Sequence, residues 1–309
     1  MSATPTVPPP APVVADDVAR VLDLLRTGNV AVLTGAGMST ASGIPDYRGP
    51  DGERRVQPMQ YAEFLADPRG RQRYWARAFA GWERFAAAGP NSSHYSVARW
   101  QDAGALTGII TQNVDGLHQA AGARDVIELH GNLAHVVCLD CAQRYSRAVM
   151  HRWLSEANPD FVTGADATHI RPDGDVALSA ERVASFVVVR CPACGHDRLK
   201  PDVVFFGGSV ERPLVEQSFA LVERSEALLV LGSSLQVMSG YRFVRRAHAL
   251  GMPIAVITRG MTRGQQETTV HVDALLAEVV PSLARELAGD HLPDSTVPSA
   301  GGDGVGERH

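Results

Sequence analysis

Basic clusters are missing from this sequence. Its 29 Lys and Arg are outnumbered by 34 Asp and Glu, the formal net charge is −5, and neither basic residue forms a long run. Nucleic acid and anionic membrane faces are bound through such clusters, so neither partner is expected. Long apolar runs are missing too, with no stretch near the roughly 18 residues that suggest a membrane span. Residues 2–15 hold Pro, Ala and Val but no Lys or Arg. That excludes the basic start of a secretory signal and the arginines of a mitochondrial presequence. Residues 1–15 are expected to be a disordered leader, and 289–309, rich in Gly, Asp, Ser and Pro, a disordered tail. Cysteines number only four. In the cytoplasm, the simplest compartment for such a chain, all four stay reduced.

What is present suffices for a core: 45% hydrophobic residues against 20% charged. The folded part is expected over 16–288, opening on an amphipathic helix with Val18, Val21, Leu22 and Leu25 on one face. Short apolar runs recur at 30–33, 108–110, 126–129, 203–205, 228–231 and 254–257. Helix-length stretches such as 213–224 and 241–250 lie between them. Continuous apolar strands alternating with helices predict a parallel sheet buried on both faces, a doubly wound α/β fold of Rossmann-like type. Two segments break the alternation. Residues 57–85 are helical and aromatic, and 134–200 carry the cysteines without a regular pattern. They are expected to form a smaller lobe, part helical and part zinc-binding, beside a core made of 16–56, 86–133 and 201–288.

Cys138-x-x-Cys141 and Cys191-x-x-Cys194 form two knuckles. Four thiolates close a tetrahedral zinc shell with no position left for water, so one structural Zn²⁺ is expected and the chemistry must lie elsewhere. Two disulfides or two redox motifs are the other readings, and a reducing compartment and the pairing of the motifs weigh against them.

Three other clusters follow strands. Residues 34–43, with Gly35, Gly37 and Gly43, have the character of a phosphate loop opening a helix. Thr40 stands where a third glycine would be, and no acidic residue ends a following strand, so an ordinary dehydrogenase loses its support. Gln112, Asn113 and Asp115 follow the 108–110 run, where an open α/β sheet places ligand contacts. Helix capping would explain one of the three. His130 ends the 126–129 run and can serve as a general base near neutral pH.

Together GAGMSTASGIPDYRG (35–49), TQNVDGLH (111–118), ELHG (128–131), the two CxxC pairs, KPDVVFFG (200–207) and GSSLQV (232–237) resemble the motif series of the sirtuins, the Sir2 family of NAD-dependent protein deacylases, over about 18–285. The long stretch between the knuckles, 73–82 and 232–244 are most similar to the class II, sirtuin 4-like branch. The resemblance implies that NAD⁺ is a consumed co-substrate lying between the two lobes. By the same resemblance Gly35, Ala36, Gly37, Ser39, Thr40, Gly43, Ile44, Pro45, Asp46, Tyr47 and Arg48 wrap its pyrophosphate and nicotinamide end. Gln112, Asn113, Val114 and Asp115 meet the ribose and carboxamide, while Gly232, Ser233, Ser234, Thr258, Arg259, Gly260 and Leu276 meet the adenosine half. His130 is implied as the catalytic base, with Asn113 ordering a water. An acyl-lysine of a protein substrate would enter between Val204 and Phe205 on one side and Gln236 and Val237 on the other, although core strand residues would also look like the first two. The implied products are nicotinamide, acyl-ADP-ribose and free lysine; protein mono-ADP-ribosylation is the alternative outcome of the same first step. The chain departs from the family pattern at Thr258, where many members have Asn, at Ser209, often acidic, and at Leu276, often Cys. Tyr74 and Arg77 have the spacing of an acid-gripping pair. A helix face that packs Tyr and lets Arg snorkel is the reading preferred here, with neutral acyl groups favoured over succinyl.

Overall fold

In the computed structural model, residues 14–48, 53–54, 57–161 and 171–289 are described. The leader expected over 1–15 falls outside them except for its last two residues, and the tail except for Gly289. The first helix, α1 (Ala15–Thr27), turns its Val21, Leu22 and Leu25 inward. It leads into β1 (Val30–Thr34), whose five residues are all buried. There follow α2 (Tyr61–Ala66), α3 (Pro68–Ala86), α4 (Ser92–Asp102), β2 (Leu106–Thr111), α5 (Leu117–Ala120) and β3 (Ile127–Glu128). Next come β4 (Gly131–Cys138), β5 (Arg144–Ser146), α6 (Arg147–Ala157), α7 (Ala180–Ser185) and β6 (Leu199–Val203). The chain closes with α8 (Arg212–Glu223), β7 (Ala227–Leu231), α9 (Met238–Ala249), β8 (Ile254–Ile257), β9 (Val270–Val272) and α10 (Leu276–Ala288).

Six strands form one sheet in the order β3-β2-β1-β7-β8-β9, and every pairing in it is parallel. Alternation along β1 divides its side chains between two cores. Val30 and Val32 join α1, α4 and α10 on one face, while Ala31 and Leu33 join α8 and α9 on the other. A strand buried on both faces has no polar side to show, which is why its sequence reads as an unbroken apolar run.

The smaller lobe holds a second, antiparallel sheet in the order β5-β4-β6. The 203–205 run was expected as a strand like the others. Only Val203 lies in a strand, β6, and β6 belongs to this second sheet. β9, three residues with a histidine at the centre, carries no apolar run to mark it in the sequence. The lobe's core is aromatic: Trp75 of α3 is fully buried, its indole N–H donates to the Leu199 carbonyl at 2.9 Å, and the Arg147 guanidinium lies 5.1 Å from the centre of its ring. α3 thus ties the first insertion to the second.

Candidate active site

The carboxyl ends of β1, β2, β3 and β7 open on one edge of the parallel sheet, and the loops leaving them meet there. After β1 the chain makes two single 3-10 turns, Ala36–Met38 and Thr40–Ser42. The expected helix start is absent, so a long helix dipole is not what this loop offers an anion. Its glycines answer first to packing. A Cβ at Gly35 would sit 2.7 Å from that of Ser233, and one at Gly37 would sit 2.9 Å from the Cα of Gly232. Gly37 N–H in turn donates to Gly232 O at 2.9 Å, so the two loops close on each other backbone to backbone.

Polar side chains cross-link this edge. Asn113 Nδ2 donates to Gly35 O at 3.0 Å and to Ser39 Oγ at 3.1 Å, and Ser39 Oγ donates to Asp115 Oδ2 at 2.6 Å. Gln112 Nε2 donates to Ser233 Oγ at 3.0 Å. Asp115 Oδ1 accepts from Leu117 N–H at 2.9 Å, so the capping role weighed for it coexists with the cavity role. Burial raises the Asp115 pKa, and the bonds from Ser39 and Leu117 oppose that rise.

His130 sits in the turn between β3 and β4, fixed at both ring nitrogens. Nδ1 lies 2.8 Å from Gln112 O. A carbonyl only accepts, so Nδ1 carries the hydrogen and Nε2 the lone pair. Burial lowers the pKa of the ring, the Gln112 bond opposes this, and the charge of Arg242 adds to it. The ring is therefore neutral near pH 7, with a proton-accepting nitrogen at Nε2.

A cavity of about 950 Å³ lies over this edge and reaches the smaller lobe. That is the upper end of the range for small-molecule sites, and it is lined by cations (Arg48, Arg259) as well as amides and hydroxyls, as a dinucleotide requires. His130, Asn113 and all the expected cofactor positions except Gly43 and Gly260 line it. Gly43 closes a 3-10 turn in the left-handed region, and Gly260 N–H donates to Asp273 Oδ1 at 2.8 Å. Both serve turns instead. Val204, Phe205, Gln236 and Val237 also line the cavity. Phe205 packs at 5.3 Å from Phe64 and 5.1 Å from Tyr74, ring centre to ring centre, so it is a core residue with one face on the cavity.

Met59, Tyr74, Pro172, Asp173, Ser239 and Arg242 line the cavity without having been expected there. Pro172 and Asp173 belong to an insertion with no periodic pattern, so nothing in the sequence pointed to them. The Tyr74–Arg77 pair is split. Tyr74 faces the cavity, while Arg77 is not among its lining residues: its Nε donates to Val176 O at 2.9 Å and lies 3.3 Å from Asp175 Oδ2.

In the smaller lobe the four cysteines converge, with all their sulfurs within 4.8 Å of one another. Cys138 and Cys194 sulfurs are 3.6 Å apart, those of Cys141 and Cys191 3.8 Å. Four thiolates at about 2.3 Å around a tetrahedral zinc stand roughly 3.8 Å apart, so the donor set fits that ion. The knuckles are built alike. Ala142 and Gly195, the residues after each second cysteine, both adopt positive φ and donate N–H to the carbonyl of the first.

Comparison with known proteins adds ancestry. The pattern of the Sir2 family matches residues 35–239. The chain is 51% identical over 272 residues to an NAD-dependent protein deacetylase 1 of Streptomyces coelicolor, covering 88% of this chain and 90% of that one. It is 44% identical over 282 residues to the NAD-dependent protein deacylase Sirt4 of Drosophila melanogaster, covering 90% and 89%. Among solved structures, a Sir2–p53 peptide–NAD⁺ complex superposes with a TM-score of 0.67 at 27% identity, over 86% of this chain and 97% of the other.

Proposed function

The chain belongs to the Sir2 family, and from that premise we propose that the cavity holds NAD⁺ against an acyl-lysine side chain, with His130 as the proton acceptor between them. The protein is an NAD-dependent protein lysine deacylase. The observation that carries the site assignment is His130, a neutral imidazole with its lone pair at Nε2, on the wall of a cavity large enough for a dinucleotide.

When bound, NAD⁺ would supply an electrophilic ribose carbon for the acyl oxygen, nicotinamide as leaving group and a ribose hydroxyl to receive the acyl group, with water completing release of the lysine amine. The rest falls to the chain. Asp115, held by Ser39 and Leu117, presents its carboxylate to the carboxamide. Asn113 and Gln112 are locked to the 35–39 loop and to Ser233, so they orient donors without reorganising when a ligand arrives. Thr258 and Leu276 border the adenosine end, a hydroxyl and an apolar wall in place of an amide and a thiol. His130 takes a proton at Nε2, and its Nδ1–H stays on Gln112 O throughout. Phe205, Val204, Gln236 and Val237 flank the acyl-lysine stem. The thiolate cluster, able to hold a zinc with a full shell, supports the lobe that forms the other wall.

For its location we favour the cytoplasm. Thiols gathered as metal donors suit a reducing compartment, and among the described residues no helix is long and apolar enough to cross a membrane. Protein substrates, rather than nucleic acid, suit the net charge of −5.

The test is product analysis with NAD⁺ and an acetyl-lysine peptide. Nicotinamide and acyl-ADP-ribose are expected in equal amounts. His130→Ala should cut the second by about 10²- to 10⁴-fold, the usual contribution of a general base. A well-folded His130→Ala protein that keeps most of its turnover would move the base elsewhere. Growth of NADH absorbance would remove the function itself.

A further inference from the structure

The second nitrogen of His130 is not free. Its Nε2 lies 2.8 Å from the hydroxyl of Ser239, in the first turn of α9. Since Nδ1 holds the hydrogen, Ser239 is the donor of this bond. The same turn also rests on the residue that fixes the other nitrogen. A Cβ at Gly240 would meet Gln112 Oε1 at 2.5 Å, so the helix start lies directly against Gln112, whose carbonyl anchors Nδ1. Both ring nitrogens are therefore set by contacts that converge on one turn of helix.

We propose that Ser239 is a positioning residue that accompanies the imidazole of His130 through its protonation, donating to Nε2 in the neutral ring and turning to accept from Nε2–H in the charged one. The proposal rests on His130 being the proton acceptor. A hydroxyl is both donor and acceptor, so it can satisfy either state, whereas an alkyl side chain satisfies neither. One proton moves, from a substrate hydroxyl to Nε2; Ser239 keeps its own and rotates. Of the groups packed around the ring, Arg242 of α9 carries charge and disfavours the imidazolium. The end of β2 contributes the uncharged Gln112, and the chain after β6 contributes the Val204 N–H, bonded to the His130 carbonyl at 2.8 Å. Within this set only the Ser239 hydroxyl stands ready to favour the charged ring at Nε2.

The test is imidazole ¹⁵N NMR of the full chain without ligand, with His130 assigned by loss of its signals in His130→Asn, alongside steady-state kinetics. In the wild type the Nδ1–H tautomer is expected. Ser239→Ala should keep the Nδ1–H tautomer that Gln112 O fixes, move the Nε2 resonance and lower the His130 pKa. It should also cut kcat about tenfold or more, as expected for a buried donor left unpartnered, with KM for NAD⁺ little changed. Ser239→Thr, which keeps the hydroxyl, should restore both spectrum and rate. A Ser239→Ala protein with the wild-type imidazole spectrum and kcat would overturn the proposal, as would a Thr variant no better than Ala. Wild-type protein that forms no acyl-ADP-ribose would instead sink the role of His130, a result visible before any Ser239 variant is made.

Discussion

At the scale of single residues, the proposed choice of acyl group turns on Tyr74 and Arg77. Helical spacing of three puts two side chains near one face, which made an acid-gripping pair conceivable. The structure separates them because Arg77 is drawn off to Val176 O and Asp175. Neutral acyl groups should therefore be turned over better than succinyl. Arg77→Met should leave the succinyl-to-acetyl ratio of kcat/KM unchanged within the scatter of matched peptides. A succinyl preference that collapses in that variant would show the guanidinium reaching substrate after all. Asp115→Ala tests the opposite wall. With its carboxylate gone the carboxamide loses a partner, and inhibition by added nicotinamide should weaken by about tenfold, the worth of one hydrogen bond to a charged group. Unchanged inhibition would assign Asp115 to capping α5 alone. Most of these residues were legible in the sequence, since Gln112, Asn113, Asp115 and His130 each follow an apolar run. Ser239 was not, because a serine in a helix's first turn is an ordinary residue until His130 is seen beside it.

At the scale of elements, α4 is anchored by a capping box in which Asn91 and His94 exchange bonds. Asn91 Nδ2 also holds Met38 O and Ser42 Oγ of the cavity loop, both at 2.9 Å. His94 and His118 meet edge to face, their ring centres 5.0 Å apart, and both are buried. Thr34 Oγ donates to Thr111, so it accepts from His118 Nε2–H; His94 Nδ1 accepts from Asn91 N–H. Accepting at Nδ1 requires a neutral His94 ring, and burial disfavours charge on His118. Burial lowers the His94 pKa to about 4; for His118 burial, then the neighbouring His94, lowers it to about 3. In the unfolded chain both return to about 6.5. The folded state thus binds fewer protons below that value, so stability is full above about pH 6.5 and falls as pH drops toward the folded values. One pKa unit is worth about 1.4 kcal/mol, a sizeable part of a total near 5–15 kcal/mol. The urea midpoint should drop between pH 7.5 and pH 5, and less steeply in His118→Gln. A midpoint flat across that window would contradict the buried neutral pair. The zinc knuckles make the other elemental claim. Cys141→Ser or Cys194→Ser opens the shell, and metal binding at such sites is also folding energy. Loss of zinc by elemental analysis and a less stable smaller lobe are expected, while active wild-type protein without zinc would refute it. The knuckles were readable from spacing alone. The antiparallel sheet that carries them was not, since β4 alternates between buried and exposed positions only irregularly and β5 is three residues long.

Across the whole molecule, the parallel sheet was legible because double burial forces continuous apolar strands, and the cavity followed from where those strands end. Its wall from the smaller lobe was not legible, because Pro172 and Asp173 are placed by tertiary packing alone. The sequence also contains a single lysine, Lys200. It is buried, with Nζ donating to Pro201 O at 2.9 Å and also to Val203 O. The native protein should therefore resist acylation at lysine: treated with an acyl donor it should gain no lysine-linked mass until it is unfolded. Gain of such mass by the native protein would mean that β6 opens. The central claim is that NAD⁺ is consumed as the acceptor of the acyl group. The most direct measurement uses a peptide whose lysine carries an isotopically labelled acetyl group, incubated with NAD⁺ and followed by mass spectrometry. The label should appear on ADP-ribose, one for each nicotinamide released, and none as free acetate in the initial phase. Label released directly as acetate without NAD⁺, or ADP-ribose joined to protein while the acetyl group stays on lysine, would contradict it.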